Sequence, residues 1–189
     1  MRELGGFYKV PAMNGKRGFT LIELMVALAV AAILLAVGVP AFQQMLRNNQ
    51  AATHANEFMG GLNFARSEAT KRGRRVVLCK SGDSASCATT GAWDQGWIVF
   101  VDSDSDATVD AGETILRVHG VLGGGDTLQG STDVADYISY SPDGFTRVAN
   151  SGTFQSGTLT FGLCNGNNQK NTILISNTGR ARVEKATCP

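Results

Sequence analysis

Lys16-Arg17-Gly18-Phe19-Thr20-Leu21-Ile22-Glu23-Leu24 decides how this chain is read. Two cations and a glycine stand directly before an apolar run that extends, with one acidic interruption, from Phe19 to Phe42. At about 1.5 Å per residue a helix over this run reaches roughly 36 Å, enough for a hydrocarbon core of about 30 Å. Lysine and arginine beside a membrane helix hold their end in the cytoplasm, so the C-terminal part is expected outside. A secretory signal fits less well, because the run is too long for an h-region and no A-x-A site follows it.

Glu23 is the interruption. A carboxylate this deep costs on the order of 2.5–3.5 kcal/mol on insertion scales, so it demands a partner. Cleavage between Gly18 and Phe19 would create one, an α-amino cation on Phe19. The plain alternative is a glutamate near the interface that snorkels to water. The quoted residues closely resemble the prepilin cleavage motif of type IV pilins and type II secretion pseudopilins. That resemblance implies cleavage after Gly18 by a prepilin peptidase and N-methylation of Phe19. It also implies an assembly role for Glu23, neutralising the amino terminus of a neighbouring subunit. Residues 1–18 then form a basic leader, 19–46 a transmembrane and filament-core helix, and 47–189 an amphipathic helix with a β-rich head.

Composition agrees with one domain plus an extra element. Of 189 residues, 43% are hydrophobic and 17% charged, which excludes a disordered or strongly polyionic chain. The net charge of +1 hides a basic leader, with Arg2, Lys9, Lys16 and Arg17 against Glu3, and a slightly acidic remainder. Nucleic-acid binding must therefore rest on local clusters.

After Arg47, Ala51, Ala55, Phe58, Leu62, Ala65 and Ala69 recur at spacings of four and three, one face of a helix. The helix is expected from about Thr20 to Arg72, with Pro40 a place to kink and Gly60-Gly61 a place for close packing. Short apolar runs separated by Gly, Asn, Asp and Ser follow. Val76–Leu78, Gly96–Val101, Ile115–Val118, Tyr137–Tyr140, Thr158–Leu163, Thr172–Ser176 and Ala181–Glu184 are candidate strands. Helix first and strands afterwards is an α+β fold: an antiparallel sheet packed on the second half of the long helix. The stretch Val77-Leu78-Cys79, Cys87, Trp93-Asp94-Gln95-Gly96-Trp97 to Asp102, and then Glu113 to Arg117, resembles the GspH/FimT branch of pilin-like proteins.

Four cysteines, Cys79, Cys87, Cys164 and Cys188, all lie beyond the apolar run. An even count in an extracytoplasmic segment points to disulfides, with zinc the competitor that lacks a CxxC pair. Sequence proximity favours Cys79–Cys87 and Cys164–Cys188 among three connectivities.

Asp102, Asp104, Asp106, Asp110 and Glu113 take positions 1, 3, 5, 9 and 12 of a calcium-loop pattern. Ala107 replaces the glycine of position 6, and strands flank the loop where helices would be expected. The competing reading is a metal-free polar hairpin between Val101 and Ile115. Basic residues form two groups. Lys71, Arg72, Arg74, Arg75 and Lys80 straddle the helix end, where cations favour the dipole. Arg180, Arg182 and Lys185 follow the Asn177-Thr178-Gly179 turn, and alternation puts Arg180 and Arg182 on one strand face. Gly179-Arg180-Ala181-Arg182 also resembles the Gly-Arg-x-Arg stretch of FimT-type minor pilins, which is associated with DNA capture. The competing reading is a solvated strand face.

No nucleophile stands in an activating context, His54 and His119 are far apart, and Gly123-Gly124-Gly125 lacks the P-loop Lys-Ser/Thr. An enzyme is not expected. The expectation is a minor pilin at or near the tip of a type IV pilus, with DNA a candidate partner. The alternative is a minor pseudopilin of a type II secretion system. The partners implied are other pilin subunits, a prepilin peptidase and the inner membrane, with the head in the periplasm before filament assembly.

Overall fold

The computed structural model describes residues 18–164 and 168–188, and the chain divides into two compact units, residues 1–41 and 42–189. Lys16, Arg17 and the rest of the leader lie outside the described residues.

In the first unit every described residue is exposed. One helix, α1 (Leu21–Arg72), is long and apolar enough to cross a membrane. Its start has a local cause: the Glu23 N–H donates to Thr20 Oγ1 at 3.2 Å, and Leu24 N–H to Thr20 O at 3.2 Å. Thr20 and Glu23 have the spacing of a capping box. Pro40 is accommodated inside α1.

In the second unit Ala51, Ala55, Phe58, Leu62, Ala65 and Ala69 are all buried. The Phe58 ring meets Trp93 and Trp97 edge-on, at 5.3 and 4.9 Å between centroids. The two tryptophans are therefore core, held by aromatic edge-to-face contact as well as by apolar burial. At Gly61 a Cβ would lie 3.1 Å from both Leu78 and Trp97, so this glycine sets the approach of helix to sheet; at Gly60 it would meet nothing.

The strands are β1 (Arg75–Lys80), β2 (Trp97–Asp102), β3 (Ile115–His119), β4 (Leu128–Gly130), β5 (Tyr137–Tyr140), β6 (Gly157–Cys164), β7 (Gln169–Ile175) and β8 (Ala181–Thr187). They form two four-stranded sheets where the sequence pattern implied one. Their orders are β3-β2-β1-β5 and β4-β6-β7-β8, and all pairs are antiparallel. β4 is the strand that the pattern did not reveal; three residues after a glycine run carry too little alternation. Both sheets feed one core: Leu78, Val99 and Ile138 from the first and Leu159, Phe161 and Ile173 from the second meet the α1 face. A smaller cluster of Val77, Cys79, Ile98 and Phe100 with Ala107 and Ala149 covers the outer face of the first sheet. That second layer explains why all of β2 is buried.

Cys79–Cys87 and Cys164–Cys188 are both bonded, and zinc ligation by these thiols is thereby excluded. The first ties the loop after β1 back to the sheet. The second fastens the end of β8 to the end of β6.

Candidate functional site

The turn Ser176-Asn177-Thr178-Gly179 joins β7 to β8. It closes through Gly179 N–H to Ser176 O at 2.9 Å and Ser176 N–H to Arg180 O at 3.0 Å. Gly179 has φ +74°, and a Cβ there would lie 2.1 Å from Gly144 O, so only glycine fits. Arg180 therefore sits just before β8 and Arg182 just inside it, both exposed. They line one open groove of about 420 Å³ with Ser176 and Thr178. Arg182 Nε pairs with Glu184 Oε1 at 2.7 Å across the exposed strand face. No acidic group reaches Arg180 among the described residues.

Lys185 does not join them. Strand alternation turns it to the opposite face, where its Nζ donates to Asn171 Oδ1 at 2.5 Å. Asn171 Nδ2 in turn donates to Ala51 O at 2.7 Å, so Lys185 belongs to the seam between β7, β8 and α1. The odd-even spacing from Arg182 to Lys185 already carried that information.

The other basic group is largely spent on neighbours. Lys71 and Arg72 reach Glu68 at 3.6 and 2.5 Å, and Arg72 holds the Glu68 carboxyl below the usual carboxylate range. Arg75 donates to Ser139 Oγ at 2.7 Å. Lys80 is buried, with Asp136 Oδ1 at 2.6 Å and Gly91 O at 2.9 Å. Arg74 remains exposed.

In the β2–β3 loop, carboxylate oxygens of Asp102, Asp104 and Asp106 come within 4.8 Å of one another. Ala107, in the position of the expected glycine, adopts φ +64°. Asp102 accepts N–H bonds from Ser105 at 2.6 Å and Ala107 at 3.3 Å. Burial pushes its carboxyl above the ordinary range. Asp110 is also pushed up, chiefly by the charge of Asp106. Glu113 stands apart in role, accepting from Ser103 N–H at 2.6 Å and Asp110 N–H at 3.2 Å. Three of the five candidate ligands are thus gathered, while Glu113 is engaged in closing the loop.

Both histidines have structural partners. His54 Nδ1 lies 2.9 Å from Asp126 Oδ2 in a buried pair, and Asp126 Oδ1 accepts Leu163 N–H at 2.7 Å. One carboxylate thus links α1, the glycine-rich loop and β6. His119 stacks on Trp97 at 3.8 Å and approaches Glu57 at 3.4 Å.

Residues 54–179, more than half of the chain, match the family described as type II transport protein GspH. The chain belongs to that family. Residues 13–39 match the prokaryotic N-terminal methylation motif, around Gly18, Phe19 and Glu23. The chain is similar to prepilin peptidase-dependent protein D of Escherichia coli, 60% identical over 35 residues, 18% of this chain and 24% of that protein. It is also similar to the type IV major alpha-pilin of Moraxella bovis, 41% identical over 49 residues, 26% of this chain and 31% of that one. The matches thus span under a third of these relatives' length. In fold the chain is similar to the type IV minor pilin FimU of Pseudomonas aeruginosa, with TM-score 0.51 and 20% identity, covering 72% of this chain and 90% of FimU. The GspH match and the N-terminal methylation motif together mark a chain of the pilin-like and pseudopilin-like group.

Proposed function

We propose that this chain is a minor type IV pilin, cleaved after Gly18 by a prepilin peptidase and methylated on Phe19. It is held in the inner membrane by α1, with its head in the periplasm, and then built into a pilus at or near the tip. There Arg180 and Arg182 contact DNA during uptake in natural transformation. The observation that supports DNA contact is Arg180, an exposed cation with no acidic partner among the described residues, opening the groove it shares with Arg182. Two arginines neutralise about two phosphates, so log affinity for duplex falls against log salt with a slope of about −2. Contacts of this kind hold a backbone without reading sequence. A mobility-shift titration of the detergent-solubilised mature chain against the double variant Arg180→Gln, Arg182→Gln tests it. Equal binding by the two at low salt would sink the role of this strand.

The family match favours a second reading, a minor pseudopilin of a type II secretion system. Deleting the gene then stops secretion of folded proteins and leaves pili and transformation intact. A third element concerns the β2–β3 loop: the clustering of Asp102, Asp104 and Asp106 supports calcium binding, a hard cation suited to several carboxylate oxygens.

A further inference from the structure

The outer face of the second sheet carries a further cation. Ile173 and Ile175 of β7 point into the core with Leu159 and Phe161 of β6. Alternation therefore turns Thr158 and Thr160, and Lys170, Thr172 and Leu174, to the opposite face. The register carries that face on to β8. Thr158 pairs with Leu174 and Leu174 with Arg182, Thr160 with Thr172 and Thr172 with Glu184, and Lys170 with Ala186. Residues paired across neighbouring strands share a face, so Lys170 and Arg182 stand on one surface, one strand and four residues apart. At about 3.4 Å per residue and about 4.8 Å between strands, their Cα atoms are roughly 14 Å apart. Short threonines and Leu174 form the floor between them, and no aromatic residue is among these. Lys170 is half-buried, and among the described residues no acidic group pairs with it. Glu184, exposed on the same face, pairs with Arg182.

We propose that this face is a phosphate track for duplex DNA, with Arg180 and Arg182 at one end, Lys170 at the other, and Glu184 holding it in check. The proposal rests on the DNA reading above; it names the form of the nucleic acid, a third cation and a residue that restrains binding. A span of roughly 14 Å covers about four phosphates of one strand at 3.4 Å of axis per nucleotide, so the cations hold separate phosphates of one duplex. Single strands are gripped by base stacking on aromatic rings as well as by charge. Without a ring on the face only charge is left, and the duplex carries the denser charge, one per about 1.7 Å of axis. Glu184 lies between the cations, in register with Thr172. Its carboxylate repels the phosphates, and its bond to Arg182 must be given up when a phosphate takes the guanidinium. Lys185 is nearer to Arg182 in sequence but faces inward, on Asn171.

The test uses the detergent-solubilised mature chain with a labelled duplex and a labelled oligothymidylate of equal length, read by fluorescence anisotropy across a salt series. Lys170 adds about one to the magnitude of the slope expected of the arginine pair. Lys170→Gln removes that increment and weakens duplex binding, and Lys170→Arg keeps both. Lys185→Gln, the same charge change on the inner face, leaves the slope as in the parent. Glu184→Gln tightens duplex binding by about twofold or more at low salt. The parent binds the duplex more tightly than oligothymidylate. An unchanged slope in Lys170→Gln, or an equal loss of slope in Lys185→Gln, overturns the track. If the variant Arg180→Gln, Arg182→Gln loses the duplex while Lys170→Gln does not weaken it, the DNA reading stands and the track falls. Tighter binding of oligothymidylate overturns the duplex assignment, and no gain from Glu184→Gln overturns the restraint. Failure of the parent to bind either ligand removes the DNA reading and the track together.

Discussion

Gln155 and Ser139 are bonded as residues of neighbouring strands are, although Gln155 belongs to no strand. The Ser139 N–H donates to Gln155 Oε1 at 3.0 Å, and Gln155 Nε2 donates to Tyr137 O at 2.9 Å and Asp133 O at 2.7 Å. A fully buried side-chain amide thus closes the free edge of β5, at the seam between the two sheets. Gln155→Ala strands one donor and two acceptors, each costing about 1–3 kcal/mol if left unmatched. We expect a loss of about 3 kcal/mol, seen as a lower urea midpoint. A loss below about 1 kcal/mol would mean that water replaces the amide.

Gly179→Ala should be more damaging than Gly112→Ala. Both glycines have positive φ, but a Cβ at 179 collides with Gly144 O, while at 112 it meets nothing within 4 Å. The exposed substitution pays only backbone strain, about 1 kcal/mol. The other must also move backbone, for a total of roughly 2–3 kcal/mol, and it displaces Arg180 with it. Thermal melts of the two variants decide this. Equal melting temperatures would show that the 143–147 segment yields freely.

The two disulfides should differ in weight. Chain-entropy estimates give about 2.5 kcal/mol for the shorter loop, Cys79–Cys87, and about 3.5 kcal/mol for the longer, Cys164–Cys188. Paired serine variants, compared by urea denaturation, should show that order. The Cys164/Cys188 variant should also show faster amide exchange along β8, the strand that the bond anchors.

Acid sensitivity separates two carboxylates. Asp143 is held down to about 2, first by the Ser141 hydroxyl and then by Arg147. A folded pKa below the ordinary value near 4 means that its stabilisation is present above that value and lost as pH falls toward 2. Asp143→Asn should therefore melt below the parent at neutral pH, and the gap should close by about pH 2. Asp102, pushed up by burial, has the opposite sign. Its contribution is present in acid below the ordinary range and lost as pH rises through the elevated folded value. A constant gap between parent and Asp143→Asn across that window would exclude the Ser141–Asp143–Arg147 linkage.

Calcium should raise the melting temperature if the β2–β3 loop binds it. With a Kd of about 10⁻⁴–10⁻³ M, calcium at about 10 mM adds roughly 1.4–2.7 kcal/mol. Asp104→Ala, which removes no backbone hydrogen bond of the loop, should abolish the rise. No rise in the parent would leave a plain hairpin.

The N-terminal motif and the helix were legible in the sequence because their signals are local. A glutamate in an apolar run, cations before it, and apolar residues every three to four positions each follow from the geometry of one element. The four cysteines were legible for a similar reason, since their neighbours along the chain are also their bonding partners. Strand positions came through where a short apolar run stood between turn residues, and failed at Leu128–Gly130. What only the tertiary structure decided are the pairings between distant segments. Gln155 closes on Ser139 and Tyr137 at the edge of β5, and nothing local distinguishes that glutamine from one on a surface loop. The burial of Lys80 and the joining of His54 to Asp126 depend on which segments pack together, 56 and 72 residues apart. Periodicity is a property of one element, whereas a site is a property of the packing between elements.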